Sequence, residues 1–266
     1  MSVPLDDGGL AGVELRIALL EQRIREATEE LGRVRRRLRP VVRARAEVEE
    51  IRDAWDHLDG RFRFGLAAAL IVFVLAGYLF YMNLGWYADQ RALPPSSDWV
   101  LDRLPMWNVV PMLSWGWLAL HVFAAGAAIL YQPRRLPFLL FLLGIYLFVR
   151  TVFVFLSPIG APVAILDMRE FDTLFAAVAG EYTFQNEFIF SGHTAVPFLF
   201  ALFFERRLHR AIMLGGSLVM AVSVLVTRNH YTVDVISAYL VGYAIFALSQ
   251  ALWNGFSRRC GAAAAG

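Results

Sequence analysis

Phe190-Ser191-Gly192-His193-Thr194 heads one long apolar run, and His230-Tyr231-Thr232-Val233-Asp234 heads another. Each motif sets an imidazole against a stretch where ionisable groups are costly and usually functional. Working outward from these two, six segments are long enough, or nearly so, to cross a bilayer, given the roughly 20 residues required. They are 65–83, 108–131, 136–156, 188–204, 211–227 and 233–252. Trp86, Tyr87, Trp99, Trp107 and Trp253 fall near their ends, where interfacial aromatics collect. The expected fold is all-α: a six-helix transmembrane bundle with an N-terminal amphipathic coiled-coil arm.

Composition agrees with this reading. A chain that is 58% hydrophobic and only 18% charged is too apolar for an ordinary soluble domain. The charge is uneven, because residues 1–60 carry 11 of the 25 basic residues, all arginine, and almost none of the long apolar runs. The expected parts are therefore an arm at 1–60, a membrane domain at 61–256 and a short tail at 257–266. A net charge of +2 gives no reason to expect nucleic acid as a partner. One cysteine, Cys260, excludes an intrachain disulfide and a cysteine metal site, and neither metal nor cofactor is expected. Residues 10–60 are charged throughout, so the first apolar run is expected to stay as an anchor.

In the arm, apolar residues recur at Leu10, Val13, Ile17, Leu20, Ile24, Ala27, Leu31, Val34, Leu38 and Val41, the 3-4 alternation of a coiled-coil seam. Pro40 is expected to break or kink the helix, with a second amphipathic piece (Val48, Ile51, Trp55, Leu58) leading to the membrane. Three readings stand for the arm: homo-oligomerisation through residues 10–41, a hairpin folded on itself, or an arginine-rich helix lying on anionic lipid.

Arginines set the orientation. Arg61, Arg63, Arg134, Arg135, Arg206, Arg207, Arg210, Arg258 and Arg259 fall in one set of loops, and Arg91, Arg103, Arg169 and Arg228 in the alternate set. The positive-inside rule then puts both termini in the cytoplasm. His193 and His230 both precede inward-running spans, so both are expected at the outer face. Arg150 lies about 21 Å along its span from the cytoplasmic end, at 1.5 Å per residue, and so shares that half of the bilayer.

His230 and Asp234 are four apart, one turn of a helix, so a carboxylate can hold one ring nitrogen and leave the other basic. That spacing fits a structural hydrogen bond as well as a nucleophile or general base. Ser191 and Gly192 leave backbone N–H groups uncovered at a helix start, an anion site suited to phosphate, with His193 next to it as a proton donor; an interfacial turn capped by Ser191 is the plain alternative. Arg150 costs roughly 2.5 to 3.5 kcal/mol at mid-helix unless paired or wet. A phosphate or Glu187 would be its partner. Asp167, Glu170 and Asp172 in an outer loop are either solvated or attract a head-group amine. His121 reads as a helix-packing group, and His57 and His209 as cytoplasmic.

Ser191 to Thr194, followed by His230-Tyr231-Thr232-x-Asp234-Val235-x-x-Ala238-Tyr239, resembles the sphingomyelin synthase branch of the type-2 phosphatidic acid phosphatase superfamily. Arg134-Arg135, Arg150 and Leu156-Ser157-Pro158 resemble that family's third-span motif, and Leu93-Pro94-Pro95-Ser96-Ser97-Asp98 loosely resembles its proline-rich outer loop. The resemblance covers residues 65–255 and implies an integral membrane head-group phosphotransferase with six spans and an outward-facing site. It implies that His230 attacks phosphorus to give a phosphohistidine, that Asp234 orients it, and that His193 protonates the leaving oxygen and deprotonates the incoming hydroxyl. Arg150, Ser191, Gly192, Glu187, Arg228 and Tyr231 complete the expected substrate site. A phospholipid donor and a ceramide- or diacylglycerol-type lipid are the expected partners. The chain departs from the pattern where Gln185-Asn186-Glu187 precede the first motif and where Val224 stands in place of the phosphatase arginine, for which Arg228 is the substitute. A lipid phosphate phosphatase using the same His/His/Asp set is the alternative, and a membrane-anchored scaffold working through its arm is the third reading.

Overall fold

The computed structural model describes residues 7–263 except 57, 59, 92, 158, 180–185 and 187; for residues 7–14, 61, 78, 79, 85, 88, 89, 174, 178, 179 and 257–263 it describes the backbone alone. Every regular element among the described residues is helical. The chain divides into two compact units, Met1–Asp53 and Ala54–Gly266.

The described residues of the first unit form one helix. α1 runs Asp7–Trp55, 49 residues, and passes through Pro40 without a break. The expected interruption there is corrected. Proline removes one donor and crowds the preceding turn, but Ala- and Arg-rich flanks that favour helix keep the element continuous. Its surface is laced by local pairs such as Arg45–Glu49, 3.1 Å apart.

In the second unit, α2 (Gly60–Val74) continues through a π-helical stretch, Leu75–Met82, into α3 (Asn83–Asp89). A π turn, Met112–Gly116, leads into α4 (Trp117–Tyr131). α5 (Leu136–Leu156) starts with Pro137 in its first turn, where the missing N–H is harmless. Two short helices, α6 (Met168–Phe171) and α7 (Thr173–Ala179), follow in the loop. α8 (Gly192–Phe203), α9 (Arg207–Val226) and α10 (Thr232–Ala263) complete the unit. Among the described residues, five helical stretches are long and apolar enough to cross a membrane: Phe62–Met82, Met112–Tyr131, Pro133–Leu156, Arg207–Val226 and Thr232–Phe256.

The fourth expected span is shorter than its apolar run. Residues 188–191 are not helical, and α8 has 12 residues, about 18 Å at 1.5 Å per residue. Such a length suits a core helix better than a span. Eight of its residues are buried, and the central apolar cluster gathers Leu199, Phe200 and Phe203 of α8 with Ala124 of α4, Leu142 and Tyr146 of α5, Met213 of α9 and Ile245 of α10. Irregular backbone next to such a helix is tolerable because protein, not lipid, surrounds it. The far end of α8 is capped by arginines: Arg135 donates to the Phe203 carbonyl at 2.8 Å and Arg210 to that of Phe204 at 3.1 Å. Cations on the last carbonyls complement the helix dipole. α2 and α5 touch at Gly144, where a Cβ would lie 3.2 Å from the backbone of Phe73, the close approach that small residues permit between apolar helices.

Candidate active site

The two motifs meet at one end of the bundle. Ser191 at the head of α8 gives its backbone N–H to the Asp234 carbonyl in the first turn of α10, 3.0 Å away. That bond draws the Ser191 donor away from helix geometry and starts α8 at Gly192.

On the α10 side, His230 is 5% exposed and its Nδ1 lies 3.2 Å from Asp234 Oδ2. Asp234, 2% exposed, also accepts the backbone N–H of Tyr231 at 3.0 Å on the same oxygen. An acid at the third helical position reaching back to the capping residue's N–H is one half of a capping box. The carboxylate therefore holds the helix start and the imidazole together, and an ionised acceptor fixes Nδ1 as the protonated nitrogen. The Nε2 lone pair is the one left for chemistry. Phe188 packs edge-on against the His230 ring.

On the α8 side, Gly192 makes room for Arg150. A Cβ on Gly192 would stand 3.5 Å from Arg150 Nε and 3.1 Å from the Tyr146 hydroxyl, so the guanidinium from α5 lies against the N-terminus of α8. Arg150 is 5% exposed. Helix geometry leaves the N–H groups of Gly192, His193 and Thr194 without intrahelical acceptors. Ser191 makes no side-chain cap, and its hydroxyl is fully buried with no hydrogen-bond partner among the described residues. Thr194 Oγ1 is in the same condition. His193 lies within electrostatic reach of His230, Arg150 and His121, and its ring donates to the backbone carbonyl of Leu113. Leu113 belongs to the π turn, an irregularity that recurs at functional positions because it redirects backbone groups. With one ring nitrogen held by that carbonyl, the other is directed elsewhere.

Of the residues expected at the site, the structure brings together His193, His230, Asp234, Arg150, Ser191 and Gly192. Arg228 sits in the α9–α10 turn with φ +56°, a left-handed conformation; the next two N–H groups, of Asn229 and His230, donate to the Val224 carbonyl at 2.8 and 3.3 Å. Its backbone role is thus clear, two residues before His230. Tyr231 is turned toward the loops: its hydroxyl donates to the Gly160 carbonyl at 2.9 Å and accepts from the Ser96 N–H at 3.0 Å. Burial raises its pKa, the nearby carboxylates of Asp234 and Asp98 adding to the effect against the Ser96 bond. Glu187, the alternative partner of Arg150, lies outside the described residues.

Asp98 carries more than its place in a loosely matching loop suggested. Its two oxygens take the Thr232 N–H at 2.5 Å, the Thr232 hydroxyl at 2.9 Å, and the N–H groups of Val100 and Leu101 at 3.0 Å each. Burial works against its charge, but these four hydrogen bonds outweigh it and hold its pKa below 3.8. Gly160 completes the clasp, since a Cβ there would fall 1.9 Å from the Leu93 carbonyl oxygen. Two loop segments, one around Leu93 to Leu101 and one at Gly160, thus converge on Tyr231 and Thr232. Two acids of the longer loop are engaged by the protein: Asp167 caps α6 and pairs with Arg169 at 2.9 Å, while buried Asp172 accepts from Ser114 and caps α7 through the Phe175 N–H. His121 behaves as a packing group, donating through Nδ1 to the Trp117 carbonyl and lying 3.7 Å from the Trp117 ring. His209 is packed among Phe123, Tyr131 and Phe204.

Residues 186–251 match the family model of the PAP2 superfamily C-terminal region. The match takes in Ser191, His193, His230 and Asp234, and it supports the type-2 phosphatidic acid phosphatase superfamily without selecting a branch. With it comes support for a membrane enzyme of the lipid phosphatase or phosphotransferase class. Arg150, Asp98 and α1 fall outside the matched residues. No curated protein and no solved structure matches the chain. Among the described residues there is no cluster of histidine, cysteine or carboxylates fit to hold a metal ion.

Proposed function

We propose that the protein transfers a phosphorylated head group between lipids through a phosphohistidine, as a sphingomyelin or ceramide-phosphoethanolamine synthase-like enzyme of the outer membrane face. The observation that carries this reading is the pairing of an anion cradle with a poised imidazole. The α8 N-terminus, with the Arg150 guanidinium beside Gly192 and a buried Ser191 hydroxyl, is joined by one backbone bond to the turn that carries the His230–Asp234 couple.

In this mechanism the donor phosphate lies on the α8 N-terminus, its non-bridging oxygens facing the backbone N–H groups, Ser191 Oγ and Arg150. His230 Nε2 forms a bond to phosphorus as the bond to the diacylglycerol oxygen breaks. His193 gives that oxygen its proton. Asp234 stays ionised and balances the positive imidazole while its hydrogen bond to Nδ1 fixes the ring. In the second half, neutral His193 takes the proton of a ceramide-type hydroxyl, whose oxygen attacks phosphorus and releases His230. Arg228 is the further candidate phosphate ligand from its turn before His230. Both termini are cytoplasmic in this reading, as the arginine distribution argues. If water replaces the hydroxyl, the same residues perform the phosphatase reaction, which the broad family match also supports.

The test is direct. Purified protein in liposomes receives labelled ceramide with phosphatidylcholine, phosphatidylethanolamine and phosphatidic acid. A labelled phospholipid product, together with diacylglycerol, supports the transferase. Free phosphate with unlabelled lipid products makes the protein a phosphatase, and no turnover of any donor refutes both.

A further inference from the structure

We propose that α1 pairs with the α1 of a second copy of this chain as a parallel, in-register two-stranded coiled coil over residues 10–41. This goes beyond the reaction and does not rest on it. The continuity of the 49-residue helix removes the hairpin reading. The seam from Ile17 to Val41 stays open in the single chain: Ile17, Leu20, Ile24, Leu31, Val34 and Leu38 are each 47 to 70% exposed.

The flanking charges select both the partner and its direction. Taking Leu10 as the first seam position, the residues beside the seam include Arg16, Arg23, Glu30 and Arg37 on one edge and Glu21, Thr28, Arg35 and Val42 on the other. Parallel pairing sets each residue of the first edge against the residue five further on in the other copy. Arg16 then faces Glu21 and Glu30 faces Arg35, while Arg23 meets Thr28 and Arg37 meets Val42. Two attractive pairs form on each side and no repulsive one. The antiparallel arrangement that stacks the same layers keeps Arg23 with Glu30 and Glu14 with Arg35, but it opposes Arg16 to Arg37. It would also separate the two chain exits by the length of the seam, about 48 Å at 1.5 Å per residue, whereas the parallel form brings both chains out together ahead of the first apolar stretch at Phe62.

The end of the seam follows from the same register. Beyond Val41 the next first-type positions are Arg45 and Arg52, so the helix continues with Val48 and Trp55 in the second row only, and the two-row seam ends. Pro40 falls on the outward side of the repeat, where its ring leaves the seam untouched.

Full-length protein with Cys260→Ser, carrying Leu20→Cys or Leu38→Cys singly, is oxidised in liposomes and run without reductant. Parallel pairing predicts a crosslinked dimer from each variant. A crosslink only on mixing Leu20→Cys with Leu31→Cys protein would show antiparallel pairing and overturn the proposal. So would a monomer or trimer by light scattering of the unmodified chain in detergent. Glu21→Arg is expected to weaken the dimer by about tenfold, two like-charge contacts replacing two attractive ones, and Arg16→Glu with Glu21→Arg to restore it. Failure of the restoration would refute the assigned register, while lipid turnover reports separately on the membrane domain.

Discussion

Two helix N-termini lie side by side at one end of the bundle, and they are finished in opposite ways. That of α10 is supplied with anions by the protein itself: Asp98 takes the Thr232 N–H and Asp234 takes the Tyr231 N–H. That of α8 has an arginine instead of an acid, a glycine instead of a side chain, and a serine whose buried hydroxyl makes no cap. Every helix start carries unsatisfied donors and partial positive charge. Where carboxylates already meet that demand, the end is structural. Where a cation is added to it, the local positive charge grows, and in the proposed mechanism the substrate phosphate is the anion that answers it.

The contrast can be broken from either side. The largest effect is expected at the imidazole between the two ends: His230→Ala should lower turnover by about 10⁴-fold or more while the protein stays folded in detergent, because a nucleophile has no substitute. Quenched-flow trapping of labelled phosphoprotein checks the step, and unimpaired turnover would exclude His230 as nucleophile. Arg150→Ala should cost about 10² to 10³-fold in kcat/KM, the scale of a lost oxyanion donor, and Arg150→Lys should recover little because the fork is lost. Unchanged kinetics with a lower melting temperature would make Arg150 a structural cation.

Gly192→Ala sharpens the comparison. The new methyl would press on the Tyr146 hydroxyl at 3.1 Å and on Arg150, so a roughly tenfold rise in KM is expected with kcat changed less. Smallest is the loss at the other end. Asp98→Ala should destabilise the fold by about 1 kcal/mol, as removal of a cap does, and lower the melting temperature by a few degrees. Since Asp98 is held below its ordinary value of 3.8, its contribution is complete above that value and fades as pH falls through the lowered one. Thermal melts of Asp98→Asn should lack that part of the acid dependence, and identical acid profiles would remove Asp98 from the clasp.

Much of this was legible in the residues. The four-residue step from His230 to Asp234 and the cost of burying Arg150 both pointed to one polar centre, and the length of the apolar runs located most of the spans. What escaped was set by tertiary contacts. The run 188–204 reads as a span by hydropathy, but the Ser191–Asp234 bond removes its first turn. Asp98 lies 134 residues from Thr232 in sequence and has no periodic pattern to mark it. Pro40 looked like a break because propensity is local, whereas the helix on both sides of it is strong. The orienting carbonyl of Leu113 is a backbone group, which side-chain patterns do not report.

The shortness of α8 bears on how a lipid reaches these groups. Hydrocarbon is about 30 Å thick, and a helix of about 18 Å whose lower rim is pinned by Arg135 and Arg210 stops well short of the opposite surface. In the proposed topology, with that rim at the cytoplasmic surface, the floor on which a phosphate would rest would be sunk about 10 Å below the level of the outer head groups. A lipid substrate of the proposed reaction would then not have to be hauled out of the bilayer; it would slip sideways and downward into a well, its tails still among other tails.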